Sequence, residues 1–168
     1  MKEHLDEKQG GDFMSTRNGM TIARMIVACA VMILSFSGCR RDEDDDAIPF
    51  LPFSDVYVNL SNPEYFALQQ VGNYVYLNGE GVKGIILYRA GANEFRAFER
   101  NCSFTPNDAC STVEVDGTGL RLIDPCCGSV FDFDGEPISG PAWRPLRQYR
   151  AEMGGTGVVI SDEIIAGP

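Results

Sequence analysis

From position 56 onward, apolar residues come in short runs, several of them alternating with polar ones, and each run is cut by Gly, Asn, Asp or Pro. Alternation puts one set of side chains on one face of an extended chain, so such runs read as half-buried strands. Strands are predicted over 56–60, 73–77, 84–89, 95–99, 113–115, 120–123, 129–133, 146–152 and 158–160. Turn signals lie between them at Asn78-Gly79, Asp116-Gly117, Asp134-Gly135 and Gly154-Gly155. Within 95–99 the rings of Phe95 and Phe98 stand three apart, which predicts a bulge or an uneven face. Residues 63–70 suit one or two helical turns, and no stretch sustains a helical period. The pattern is that of an all-β sandwich or barrel of about 110 residues, enough for one modest core.

The first third reads differently. An apolar run over 25–34 follows Arg17 and Arg24 and is too short to span a bilayer. A basic flank, a short apolar stretch and small residues before a cut site describe a secretory signal. Ser37-Gly38-Cys39 resembles a bacterial lipobox, whose Cys is acylated and becomes the mature N-terminus; Phe36 departs from the usual Leu at its place. The expected organisation is a signal peptide over 1–38, a lipidated Cys39 with an acidic flexible tether over 39–52, and a domain over 53–168. Glu3, Asp6, Glu7 and Asp12 fit a signal poorly, so the expected start is Met14 or Met20. His4, the one histidine of the chain, is then absent from the working protein.

Beyond Cys39 stand 10 Lys/Arg against 20 Asp/Glu. Phosphate binding needs a cationic surface, so nucleic acid is not an expected partner. Anionic headgroups would not attract this chain either, which leaves the acyl chains on Cys39 as the membrane attachment. The run Arg40-Arg41-Asp42-Glu43-Asp44-Asp45-Asp46 is a solvated charge block. It also resembles the acidic signal that sends some Bacteroidetes lipoproteins to the cell surface. The expected place is the bacterial cell envelope, at the outer membrane, on its periplasmic or outer face.

The chemistry-bearing residues lie between 101 and 149. Cys102-Ser103-Phe104 stands at one end and Asp124-Pro125-Cys126-Cys127-Gly128-Ser129 at the other, followed by Gly140-Pro141-Ala142, Pro145-Leu146 and Tyr149. This order resembles a Rieske domain, over about 85–160. That family carries its loops as C-x-H and C-P-C-H-G-S and closes them with a Gly-Pro-Ala cover loop. A Rieske centre takes two Cys on one iron and two His on the other. Here Cys102 matches the first Cys, Asp124 stands at the place of the second, and Phe104 and Cys127 stand at the places of the two His. The resemblance implies a small antiparallel β fold whose cluster site, formed by Cys102, Asp124, Cys127 and Ser129, has lost its ligand set.

Four Cys in an exported chain most often form two disulfides, and four Cys allow three pairings. The resemblance implies Cys110–Cys126, since many Rieske proteins tie their loops together at those places. Cys102 and Cys127 are then expected to bridge each other, with Phe104 filling the space of the lost imidazole and iron. Such a bridge needs Cα atoms within about 7 Å. Two other readings use the same residues: an atypically ligated 2Fe–2S centre, or zinc, on Cys102, Asp124 and Cys127 with a fourth ligand from Cys126 or Cys110. Neither the paired Cys spacing nor the histidines of common zinc sites are present. A redox-active disulfide wants an electropositive setting, and Asp124 opposes that.

With no histidine after Cys39, Ser-His-Asp and Cys-His catalysis have no base, and no catalytic residue is expected. Asp132 and Asp134 share a strand face, but the Asp134-Gly135 turn accounts for them. Phe104, Gly128, Pro141 and Trp143 form the expected docking surface, since aromatic residues carry interface energy. The function expected is that of a cluster-free, disulfide-stabilised binding or structural module with an envelope protein as partner and no cofactor. The alternative is a small electron-transfer protein with a 2Fe–2S centre.

Overall fold

The structure is a computed structural model that describes residues 47–168. The expected signal, Cys39, the acidic run through Asp46 and His4 lie outside the described residues. No helix among the described residues is long and apolar enough to cross a membrane.

The strands follow in the order β1 (Val56–Asn59), β2 (Tyr74–Leu77), β3 (Ile85–Arg89), β4 (Phe95–Glu99), β5 (Glu114–Val115), β6 (Leu122–Asp124), β7 (Ser129–Phe131), β8 (Pro137–Ser139), β9 (Gln148–Gly154) and β10 (Gly157–Ala166). Short 3₁₀ turns over Pro63–Gln69 connect β1 to β2, with the proline in their first turn, where its missing N–H is not needed. One sheet has six strands in the order β1-β10-β9-β4-β3-β2 and the other has four in the order β5-β6-β7-β8. All strand pairs are antiparallel. The arrangement is an all-β fold of the small-sandwich type with a half-barrel sheet.

β4 shows why Phe95 and Phe98 can stand three apart. Its register with β3 runs unshifted from Ile85↔Glu99 to Arg89↔Phe95, so no bulge forms. Phe95 and Ala97 point into a core with Leu68, Leu77, Ile85, Leu87, Tyr149 and Val158. Phe98 points the other way, into a second core with Ile86, Cys102, Val113, Leu122, Phe131 and Leu146. The strand is therefore buried on both faces, and its pattern is not a simple alternation. Full burial of a ring such as Phe98 contributes about 2–3 kcal/mol. The second core lies beneath the loops that carry the cysteines.

Two elements differ from expectation. β8 was not foreseen because Pro137 opens it; the strand is at the sheet edge, where a proline is tolerated. β10 runs on from Ile160 to Ala166, past the polar Ser161-Asp162-Glu163 that reads as a strand end. Register shifts between Ile160 and Ala166 bend it, and Arg150 of β9 donates through Nε to Glu163 at 2.6 Å across the pair.

Two buried charged side chains tie the frame together. The Glu99 carboxylate accepts hydrogen bonds from the N–H groups of Val82 at 2.7 Å, Lys83 at 3.0 Å and Asn101 at 2.9 Å, and from the Tyr149 hydroxyl at 2.8 Å. Gly81 lies against this carboxylate with φ +67°, a close approach that a side chain would block. The Arg147 guanidinium donates to the carbonyl of Ile48 at 2.6 Å, to that of Pro49 at 2.9 Å and to the backbone oxygen of Pro168 at 2.7 Å. Ile48, within the stretch expected as tether, is 3% exposed, so the packed body takes in residues before 53.

Candidate functional site

Three segments meet above the second core. The β4–β5 loop brings Cys102, Ser103 and Phe104. The β6–β7 hairpin brings Asp124, Cys126, Cys127 and Ser129. The β8–β9 connection brings Gly140, Pro141, Ala142 and Trp143.

The hairpin is shaped by its own sequence. Asp124 pairs with Ser129, and the Gly128 N–H donates to the Asp124 carbonyl at 2.8 Å. The Asp124 side chain accepts from the Cys126 N–H at 2.9 Å, the local bond by which an Asp organises a turn. Ser129 then joins the hairpin to the cover segment, its hydroxyl oxygen accepting from the Ala142 N–H at 3.1 Å. The Ser103 hydroxyl donates to the Arg144 carbonyl at 2.7 Å, which joins the first loop to the same segment.

Gly140 makes this closure possible. A Cβ built there would lie 2.6 Å from the Gly128 carbonyl oxygen and 2.6 Å from the Ser129 Cα, and its φ is +90°. Both obstacles are backbone and cannot swing away. Gly140→Ala is expected to lower stability by about 2–3 kcal/mol, from strain and lost packing together. Urea unfolding checks the loss, and faster alkylation of Cys127 checks that the cover segment has lifted.

The structure bridges Cys110 to Cys126, tying the first loop to the hairpin across an exposed edge. It does not bridge Cys102 to Cys127, contrary to expectation. Both are free, with Cys102 fully buried and Cys127 half-exposed, and their sulfurs lie 4.0 Å apart. The second bridge is replaced by a hydrogen-bonded cluster. The Cys127 thiol faces the Asp124 carboxylate at 3.2 Å and the Ser129 hydroxyl at 3.0 Å. The Ser111 hydroxyl donates to the same carboxylate oxygen at 3.2 Å.

Cys102 Sγ, an Asp124 carboxylate oxygen and Cys127 Sγ all lie within 4.8 Å of one another. Burial pushes the Cys102 thiol up, the Phe104 backbone N–H opposes this, and the neighbouring Asp124 and Cys127 add to the rise. A thiol held protonated in this way is a poor nucleophile.

The remaining expected residues fall as follows. Phe104 is half-buried and packs against the second core beside Cys102 and Cys127. Gly128 and Pro141 are exposed, and Trp143 is 65% exposed with the Arg144 guanidinium 4.2 Å over its ring. Asp132 accepts from the Asp134 and Glu136 N–H groups at 2.9 Å each, and Asp134 pairs with Arg96, so both aspartates are structural. Ser103 and Ser111 were not foreseen as part of the cluster. A serine has no spacing signature, and its role here is visible only from the partners the fold gives it. No protein-family model matches this sequence, and a search of curated proteins finds no relative.

Proposed function

We propose that the chain is an exported, lipid-anchored protein of the bacterial envelope whose all-β domain descends from a Rieske-type fold and serves as a binding or structural module, not as a carrier of a Rieske cluster. The observation that carries this is the 4.0 Å between the Cys102 and Cys127 sulfurs. In a Rieske centre these two places serve different irons, with sulfides bridging between them. Donors at opposite ends of such a centre stand wider apart than two donors of one ion. Phe104, at another ligand place, packs into the apolar core and offers no donor atom. The residues present therefore do not fit the family's cluster.

The hydrogen bonds donated by Ser103 and Gly128, the one Ser129 accepts from Ala142, and the Cys110–Cys126 bridge support a rigid loop end. Gly128, Pro141 and Trp143 are exposed at that end and form the proposed contact surface for an envelope protein. Membrane attachment through Cys39 rests on the Ser-Gly-Cys sequence and the apolar run before it. No catalytic role is proposed.

The competing reading, electron transfer through an atypical 2Fe–2S centre, draws on the same convergence of Cys102, Asp124 and Cys127. The visible spectrum and iron content of the full chain, made in an exporting host with iron supplied, decide between them. The proposal expects a colourless protein with no stoichiometric iron. A brown protein with two irons per chain would sink it.

A further inference from the structure

We propose that Cys102, Asp124 and Cys127 form a site for one borderline-soft divalent cation, of which zinc is the type. This goes beyond the binding-module reading and concerns the interior of the loop end, not its exposed surface.

Zinc takes thiolate sulfur at about 2.3 Å and carboxylate oxygen at about 2.0 Å in a tetrahedral arrangement. Those lengths put two thiolates of one ion about 3.8 Å apart, and a thiolate and a carboxylate oxygen about 3.5 Å apart. The Cys102 and Cys127 sulfurs are 4.0 Å apart. Cys127 Sγ and Asp124 Oδ2 are 3.2 Å apart. These two separations lie within about 0.3 Å of the values one tetrahedral ion needs, and the third, from Cys102 Sγ to the Asp124 carboxylate, is within 4.8 Å. The three donors are gathered within 4.8 Å of one another, so little loop movement is required to bring them onto one ion.

The surroundings supply what such a site needs. Asp124 and Ser129 are fully buried, and Cys102 is fully buried. The Ser129 hydroxyl, 3.0 Å from Cys127 Sγ, can donate to that sulfur once it is a thiolate. Ser111, 3.2 Å from Asp124 Oδ2, holds the carboxylate in place. Outer partners of this kind orient metal ligands and are worth about 10–100-fold in affinity. Cys127 is half-exposed, which gives the ion a way in. Two thiolates and a carboxylate favour zinc over magnesium or calcium, which prefer all-oxygen sets. Binding forms two metal–thiolate bonds and one metal–carboxylate bond and releases the two thiol protons to water.

The test uses cobalt(II), a coloured stand-in for zinc, added to the full chain after its free thiols have been counted. If Cys102 and Cys127 are isolated as a disulfide, a phosphine is applied to the Cys110→Ser, Cys126→Ser double variant, because it would also open the exposed Cys110–Cys126 bridge. The expected result is saturation at one cobalt per chain, with thiolate-to-metal charge-transfer bands and the visible bands of tetrahedral cobalt, all removed by added zinc. Cys127→Ser, at a half-exposed position, is expected to lose the charge transfer from that sulfur to the metal and weaken binding at least about tenfold. Asp124→Asn tests the third ligand, and the melting curve of each variant without metal reports whether it folds. Uptake without thiolate bands, or bands unchanged in a folded Cys127→Ser chain, would overturn the proposal, as would no uptake by a chain in which Cys102 and Cys127 are both free thiols. A chain isolated with two irons would instead overturn the cluster-free reading, so the two failures are distinct.

Discussion

Replacing Glu99 by Ala is expected to destabilise the domain by about 4 kcal/mol, a large part of the 5–15 kcal/mol that holds a typical domain together. The side chain is fully buried and accepts four hydrogen bonds, from three backbone N–H groups and one hydroxyl. Asn101 and Tyr149 are themselves buried, so their donors cannot turn to water when the carboxylate is removed. A buried donor left unpaired costs about 1–3 kcal/mol, more when its lost partner was charged. Glu99→Gln keeps the shape but replaces one acceptor oxygen with a donor that faces N–H groups, and a loss of about half that size is expected. Tyr149→Phe removes a single donor and is expected to cost about 1–2 kcal/mol. Glu99 and the Tyr149 hydroxyl are in direct contact, so a double-mutant cycle should give a coupling of about 0.5–3 kcal/mol. Additive single effects, or an Ala variant as stable as the parent in urea, would contradict this account of the β4 end.

Removing the loop bridge is the second large effect. Cys110 and Cys126 are 16 residues apart in sequence. The chain-entropy model gives a loop of that size about 3 kcal/mol of stabilisation. The double replacement Cys110→Ser with Cys126→Ser is preferred to a single one, which would leave a spare thiol beside Cys127. With a urea slope of about 1–2 kcal/mol/M for a domain of this size, the midpoint should fall by about 2 M. The two cores do not include either cysteine, so the strands should survive. The effect should be local in the native state: alkylation of Cys127 should speed up, because the first loop and the hairpin are no longer tied. An unchanged midpoint would mean that the loops are held by the Ser103 and Ser129 hydrogen bonds alone.

The strands from β1 to β7 and β9 were legible because their apolar runs are short and bounded by turn residues. What the pattern could not show was which face of β4 belongs to which core. A strand buried on both sides lacks the alternation that reports burial on one. β8 was hidden by Pro137, and the end of β10 by three polar residues that the long hairpin tolerates. The site was legible as a set of residues. Cys102, Asp124, Cys127 and Ser129 do come together, and Cys110 and Cys126 are bridged. What sequence could not supply was the separation of the two remaining sulfurs. Whether they bond, stay apart or share an ion depends on how far the loops close over Phe104. That is set by Gly140, which the sequence showed only as part of the Gly-Pro-Ala segment, and by Ser103 and Ser111, which carry no chemical signature of their own.

The donors lie within the reach of one ion and too close together to span the two ends of a two-iron cluster. Native mass spectrometry of the full chain, taken from iron-supplied exporting cells and kept in oxygen-free buffer, tests this most directly. The account expects the mass of the chain with one disulfide, either alone or with a single divalent ion in place of two protons. A mass raised by two irons and two sulfides would contradict it.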